Sequence, residues 1–597
     1  MHNPSSQNPW AESLLKALFL ILFFAVVGCR NGSPAPLSGA DVLFVDLTTQ
    51  AGIDFQHWNG MTGKNYFAEP VGAGVALFDM DNDGDLDIYF VQGAALTSQN
   101  PPNYPSDLQA PSWNKGGRLY RNDLVVEPNG LPTLHFTDVT DQVGLTSDAY
   151  GMGVAVGDYD QDGWLDVYLT HFGSNQLFRN MGFEGQPRFE EVTQAAGVDD
   201  ARWSTSASFA DWDGDGFPDL FVANYVDFRL ENHRECLSPG GFPDYCGPLA
   251  YSGETDRLFR NRGDGTFEDI SNSVGILGDP SSGLGVVASD FDGDGHLDLY
   301  VANDMRRNFL WRNQGDPTQL RFVNEALERG CSVSREGRSQ ASMGVVAGDF
   351  DGDGDDDLFM THLQADYNTF YRNNGAGYFS DESNASGLAG SSMGATGFGA
   401  VMLDFDNDGW LDLATANGAV SRIEAQVQAG VAFPLAQPNQ LFKNTGLGRF
   451  EEVNLVACPA FELLEVSRGL AAGDLDNDGR VDMVLTNNNG PARVLMNKSD
   501  NAAHWLGLRL VLPGGKIDAI GARVALIRAD KSALWRRVAT DGSYLSSSDA
   551  RIVLGLGYDP VYESVRVIWP DGSEESWSQL PIGRYHLLEQ GQSLKKP

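Results

Sequence analysis

Residues 290–301 read Asp-Phe-Asp-Gly-Asp-Gly-His-Leu-Asp-Leu-Tyr-Val. Aspartates stand at positions 1, 3, 5 and 9 of this stretch and glycine at position 6. The pattern begins six more times along the 597 residues. The seven aspartate sets are Asp79, Asp81, Asp83 and Asp87; Asp158, Asp160, Asp162 and Asp166; Asp211, Asp213, Asp215 and Asp219; Asp290, Asp292, Asp294 and Asp298; Asp349, Asp351, Asp353 and Asp357; Asp404, Asp406, Asp408 and Asp412; and Asp474, Asp476, Asp478 and Asp482. Repetition of one unit announces a repeat architecture. The spacing has a chemical reason. Alternate residues of a tight loop point inward, and glycine allows the sharp turn. Such carboxylates suit Ca²⁺, a hard cation that takes roughly six to eight oxygens. Position 7 varies freely (Asp85, Trp164, Phe217, His296, Asp355, Trp410, Arg480), as expected of a residue that ligates through its carbonyl. About seven calcium ions are expected, one per loop. An EF-hand would place a bidentate Glu at position 12. Here that position holds Phe90, Leu169, Val222, Val301, Met360, Thr415 and Leu485.

Outward from each loop the chain reads as short strands. A small apolar run precedes it, such as Gly74-Val-Ala-Leu-Phe78, and a second run follows. Next comes a Leu-aromatic-Arg-Asn strand, as at Leu119–Asn122, Leu177–Asn180, Leu258–Asn261 and Leu310–Asn313, and then a strand centred on Phe136, Phe189, Phe267, Phe322, Phe379 or Phe450. Four strands per unit describe a propeller blade. The seventh unit lacks its Phe-centred strand, and Leu43-Phe-Val-Asp-Leu47 matches the missing piece, so the N-terminal segment is expected to close blade seven and remove an open edge. The fold class is all-β: a seven-bladed β-propeller over residues 43–500 with a small β domain over 501–597. These features resemble the FG-GAP or VCBS repeat family, and the loops match that family's calcium sites.

The formal net charge is −40 and the sequence pI about 4.4. Phosphate backbones would be repelled, which excludes nucleic acid as a partner. Residues 1–29 read as an export signal. The apolar run after Lys16 is short for a membrane span, and Val26-Val-Gly-Cys29 resembles the bacterial lipoprotein box. That resemblance implies lipidation of Cys29 and a membrane anchor; ordinary cleavage and an uncleaved anchor are the alternatives. Residues 30–42 read as a flexible tether. The expected place is a bacterial-type outer membrane or cell surface, otherwise secretion.

In the C-terminal part, strand-like runs cover Leu506–Leu512, Ala522–Ile527, Arg551–Leu556 and Val565–Ile568, and Trp569-Pro-Asp-Gly572 reads as a hairpin turn. Ile520-Gly-Ala-Arg-Val524, Gly542-Ser-Tyr-Leu-Ser546 and Leu554-Gly-Leu-Gly557 resemble the ASPIC/UnbV domain, which follows such blades in proteins similar to the cartilage acidic protein 1 family. Lys516-Ile-Asp-Ala519 departs from the usual Asn and Gly there.

Three further features stand out. A polar residue lies 13 positions after the first aspartate in every unit: Gln92, His171, Asn224, Asn303, His362, Asn417 and Asn487. It either forms a ligand-binding ring at the channel mouth or caps its own turn. Cys236 and Cys246 suggest a disulfide in an exported chain, with free thiols the alternative; Cys331 and Cys458 either pair or stay buried. The insertions Gly93–Arg118 and Val226–Arg257 are the natural places for specificity. No H-E-x-x-H, P-loop or G-x-S-x-G pattern supports catalysis. The expected function is binding of a protein or glycan at the surface, adhesion or scaffolding, without enzymatic activity. The alternative is a carbohydrate-active enzyme, a glycoside hydrolase or lyase using paired carboxylates.

Overall fold

Each aspartate loop joins two strands that are buried on both faces, which is why their sequences run apolar instead of alternating. Gly283–Ser289 and Asp298–Asn303, flanking the fourth loop, are buried throughout. They pair antiparallel, continue to Phe309–Asn313 and finish at Phe322–Asn324. In this computed structural model the described residues are 42–593 except 97–115, 127–131, 183–185, 239, 316–319, 455–456, 500–502 and 579. The signal-type segment 1–29 with Cys29, tether residues 30–41 and most of the insertion Gly93–Arg118 lie outside them.

Seven such four-stranded sheets follow one another among the described residues. Their inner strands lie side by side in chain order, and Ser467–Gly473 of the seventh returns beside Val75–Phe78 of the first. One apolar cluster fills each gap between neighbours. Val154, Phe178 and Phe189 of blade 2, for example, pack on Ala76, Phe78 and Leu119 of blade 1. The N-terminal closure is present: Phe44–Asp46 pairs with Arg493–Asn497 as the outer strand of blade 7.

The Arg-Asn motif explains how the ring is stitched. Its asparagine sends a side-chain N–H to the preceding blade's loop, to the carbonyl of position 2. Asn180 donates to Met80 at 3.0 Å, Asn261 to Tyr159 at 2.7 Å, Asn313 to Trp212 at 2.9 Å and Asn373 to Phe291 at 2.8 Å. Asn444 donates to Phe350 and Asn497 to Phe405, both at 2.8 Å. Asn122 of blade 1 donates to Leu475 of blade 7 at 2.9 Å, which completes the circle.

The C-terminal domain forms a four-stranded and a three-stranded sheet around a core that includes Leu506, Val524, Leu554, Val567 and Trp569. The expected strands are present, and Tyr562–Ile568 pairs with Glu574–Ser578 across the Trp569–Gly572 turn. The domain is not a separate appendage. Residues 540–548 enter the centre of the ring. Ser547 exchanges backbone hydrogen bonds with Val75 and Leu77, Leu545 accepts from Val154, and Ser543 exchanges with Val345. Side chains reach the rest: Ser206 Oγ accepts from Leu545 N at 3.0 Å, Asp541 Oδ2 accepts from Ala288 N at 2.7 Å, and Ser543 Oγ accepts from Ala400 N at 3.2 Å while donating to Leu470 O at 2.7 Å. One segment therefore touches all seven blades. Tyr544 at its tip is fully buried against Phe398, ring centres 4.9 Å apart. The glycine that opens the inner strand has its reason here: a Cβ at Gly74 would stand 2.1 Å from Leu545 O. No helix among the described residues is long and apolar enough to cross a membrane.

Candidate metal centres

The loops share one internal wiring. The position 1 aspartate accepts the backbone N–H of position 5 with one oxygen and that of position 6 with the other. In blade 1, Asp83 N and Gly84 N reach Asp79 at 3.0 Å each, and the other six loops repeat the pair. The position 6 glycines all lie in the left-handed region, with φ from 82° at Gly479 to 97° at Gly409, where a side chain would be strained. Position 4 is left-handed too and is filled by Gly, Asn or Gln. Where it carries an amide it links loops around the ring: Asn82 donates to Gly163 O and Asn407 to Gly479 O, both at 3.0 Å.

The position 9 aspartate anchors the next strand. Asp87 Oδ1 accepts Asn122 N and Asp166 Oδ1 accepts Asn180 N, at 2.8 and 2.7 Å, and the remaining loops match. Positions 3 and 5 face the basic residue of the third strand. Arg179 meets Asp162 at 3.1 Å, Arg260 meets Asp213 at 2.5 Å, Arg312 meets Asp294 at 3.0 Å and Lys443 meets Asp408 at 3.2 Å. Blade 1 differs, since Arg121 turns to Asp123.

These contacts leave a consistent remainder. Asp81, Asp160, Asp292, Asp406 and Asp476, all at position 3, each bury an Oδ1 that has no hydrogen-bond partner among the described residues. Buried polar atoms are ordinarily satisfied, so the same orphan in five loops marks a place for a cation. Ligand oxygens of Asp79, Asp81 and Asp87, of Asp158, Asp160 and Asp166, and of Asp211, Asp213 and Asp219 lie within 4.8 Å of one another, as do those of Asp290, Asp292 and Asp294 and of Asp349, Asp351 and Asp353. Burial first, and neighbouring carboxylates next, push Asp158 up to about 7 and Asp81 to about 6; burial likewise holds Asp87 and Asp166 well above the usual carboxylate range. The clusters can hold metal ions, and an all-oxygen donor set fits a hard divalent ion.

The C-terminal domain sits on this same face, which sequence reasoning missed. Arg551 donates to Gly84 O at 3.1 Å and Asp474 O at 3.0 Å. Arg536 donates to Gly409 O at 3.1 Å, and Tyr585 Oη donates to Asp474 Oδ2 at 2.8 Å. These residues occur once each, so no repetition betrayed them.

The polar residues at position 14 do not form a ligand ring. They are buried and serve their own blades, as the capping alternative holds. Gln92 Oε1 accepts Trp58 N at 2.7 Å, and Asn303, Asn417 and Asn487 donate to Arg307, Pro438 and Pro491 carbonyls at 2.8–2.9 Å. Asn224 donates to Thr255 O, His171 meets Ser147 Oγ and His362 meets Thr369 Oγ1. Burial keeps both imidazoles neutral, lowering each to about 4. Cys236 and Cys246 form a disulfide. Cys331 and Cys458 are buried free thiols.

Comparison with known proteins follows this geometry. Residues 158–222, 241–301, 290–360 and 349–415 match the FG-GAP-like repeat, and residues 513–595 match the ASPIC and UnbV domain. The chain carries FG-GAP-like repeats and a C-terminal ASPIC/UnbV domain. Cartilage acidic protein 1 from Xenopus tropicalis is 26% identical over 524 residues, covering 84% of this chain and 70% of that protein. The Homo sapiens protein of that name is 25% identical over 592 residues, covering 95% and 77%. Among solved structures, this FG-GAP chain is similar to an Agrocybe aegerita lectin recognising non-reducing terminal N-acetylglucosamine (16% identity, 64% of this chain and 89% of that one, TM-score 0.34) and to the Bacillus licheniformis rhamnogalacturonan lyase PL11 (11%, 72% and 91%, TM-score 0.28). At such TM-scores neither bears on what the chain binds.

Proposed function

We propose that this chain is an exported, calcium-loaded propeller that acts as a ligand-binding, adhesion or scaffold protein at the cell surface or envelope, without catalytic activity. The observation that carries the reading is the orphaned position 3 carboxylate oxygen, recurring in five loops of the same internal wiring. The aspartates at positions 1, 3, 5 and 9 and the carbonyl of position 7 would hold the ion. Bound calcium supplies charge neutralisation and a cross-link between the two strands of each hairpin, so binding free energy becomes folding free energy. The membrane anchor at Cys29 belongs to this proposal and rests on the lipobox-like sequence. A protein or glycan is the expected partner.

A carbohydrate-active enzyme would need two free carboxylates facing one another in a cleft. Asp256 and Asp304 are pushed up to about 7 by burial. Both are buried and do not face one another across a cleft: Asp256 Oδ1 accepts Asn224 N at 2.9 Å, and Asp304 Oδ2 accepts Tyr225 Oη at 2.5 Å while its Oδ1 has no partner among the described residues. Neither supports that alternative.

The test is thermal unfolding of the mature chain in EDTA and in millimolar calcium, with bound metal counted in the same sample. Sites of about 10⁻⁴–10⁻³ M each should raise the melting temperature steeply, with about seven ions per chain. No shift and no bound ion would return the loops to the status of turns.

A further inference from the structure

Between the loops of blades 1 and 2 and the C-terminal domain lies a cleft of about 520 Å³. Its floor is apolar, made by Leu165, Phe209 and Pro218; Ile517, Ile520 and Leu587 of the domain face them across the gap. Sites for small molecules span about 300–1,000 Å³ and are mostly apolar with few polar groups. The remaining gap under the domain that borders blades 5–7 is about 130 Å³ and ringed by charged side chains.

Two of the three arginines that line the cleft are paired. Arg509 is held by Asp518 at 2.7 Å and Arg551 by Asp549 at 2.8 Å. Asp85 receives Asn477 Nδ2 at 2.6 Å. His586 Nε2 is engaged by Pro581 O at 2.7 Å. Arg584, exposed at the mouth, makes no ion pair or side-chain hydrogen bond among the described residues. Leu587 beside it is 57% exposed, a large apolar group left to water. The opposite rim carries Asp79, Asp83 and Asp158 of the metal loops.

We propose that this cleft binds a small amphipathic anion: an apolar body seated on Leu165 and Phe209 beneath Leu587, with one acid group on Arg584. The proposal rests on the calcium reading for its charge balance. With one Ca²⁺ per loop, two of each loop's four carboxylate charges are offset, and Arg584 is the one arginine lining the cleft that no carboxylate pairs among the described residues. With calcium removed, the loop aspartates oppose an anion across a cleft only a few ångströms from them. Ligand binding is therefore calcium-dependent although the ligand never touches the ion.

The experiment uses the full mature chain with 1-anilinonaphthalene-8-sulfonate, whose rings and single sulfonate match the cleft, and counts bound calcium in the same samples. The expected result is saturable binding of about one probe per chain, weakened about tenfold by Arg584→Glu, where an exposed attraction becomes a repulsion, and weakened similarly by Leu587→Asp. Decanoate displaces the probe and decanol does not. Both substituted side chains are exposed, so folding is preserved. Binding that both variants leave unchanged, or no binding by a chain that carries its calcium, overturns the proposal. A chain that carries no calcium overturns the reading of the loops instead, and the metal count separates the two failures.

Discussion

The loops of blades 6 and 7 and the loop of blade 3 have the same sequence pattern and different surroundings. In blade 3, Asp215 and Gly216 are exposed to solvent. In blades 6 and 7 the corresponding Gly409 and Gly479 are buried, and Asp404 and Asp474 are 2% and 1% exposed. Arg536 and Tyr585 of the C-terminal domain lie on the covered pair, and Trp505 closes over Gly479, where a Cβ would meet its ring at 1.9 Å. One motif is thus an open acidic loop in one blade and a joint between domains in another. What distinguishes them is the neighbour on top.

The sharpest way to break this contrast is to substitute equivalent aspartates. Asp404→Ala removes the carboxylate 3.9 Å from the buried Arg536 guanidinium as well as a ligand from its loop, and should cost about 3–5 kcal/mol. Asp211→Ala, at the same position of the blade 3 loop, removes a half-buried carboxylate that forms no ion pair among the described residues and should cost about 1 kcal/mol beyond the lost ion. Denaturant titration of both variants in calcium measures the difference; equal losses would mean that the cover adds nothing. The asparagine stitches should ignore the contrast. Asn261→Ala and Asn122→Ala each leave a buried carbonyl without its donor, so about 1–3 kcal/mol is expected for both. A larger loss at Asn122, which serves the covered loop of blade 7, would show that covering reaches the ring itself.

The smallest effect concerns pH. In the calcium-free chain burial holds Asp158, Asp349, Asp404 and Asp476 up at about 7 and Asp211 and Asp474 at about 6. Unfolded aspartates titrate near about 3.9. The folded chain therefore binds more protons across that window, and stability falls as pH rises from about 4 to about 7. In EDTA the melting temperature should be higher at about pH 5.5 than at about pH 7.5. In millimolar calcium the order should reverse, because protons then compete with the ion. A chelated chain indifferent to pH would contradict the burial of the loop carboxylates.

The blades were legible in the sequence because each local signal is written seven times. Register, loop spacing and the missing outer strand of blade 7 could be read from Asp79 to Asp482 by comparing copies. The Arg-Asn motif was visible in the same way, but its purpose was not, because each asparagine acts on the neighbouring blade's loop. The ring of polar side chains suggested by Gln92 to Asn487 was a true periodicity with a local cause. The segment Thr540–Ser548 was hidden for the opposite reason. Gly-Ser-Tyr-Leu-Ser-Ser-Ser carries the composition of a surface loop and occurs once, and its partners are seven strands spread over the chain from Val75 to Leu470.

That central segment also sets an order of assembly. The first strand of the ring, Phe44–Asp46, must wait for Arg493–Asn497 before it has a partner, and the axis stays open until residues 540–548 arrive. A chain that emerges N-terminus first holds six blades with unsatisfied edges through most of its passage, and it becomes a finished object only with its last tenth. Until then the half-built ring is a sticky crescent, and any factor that guards its edges has until the final residues emerge to act.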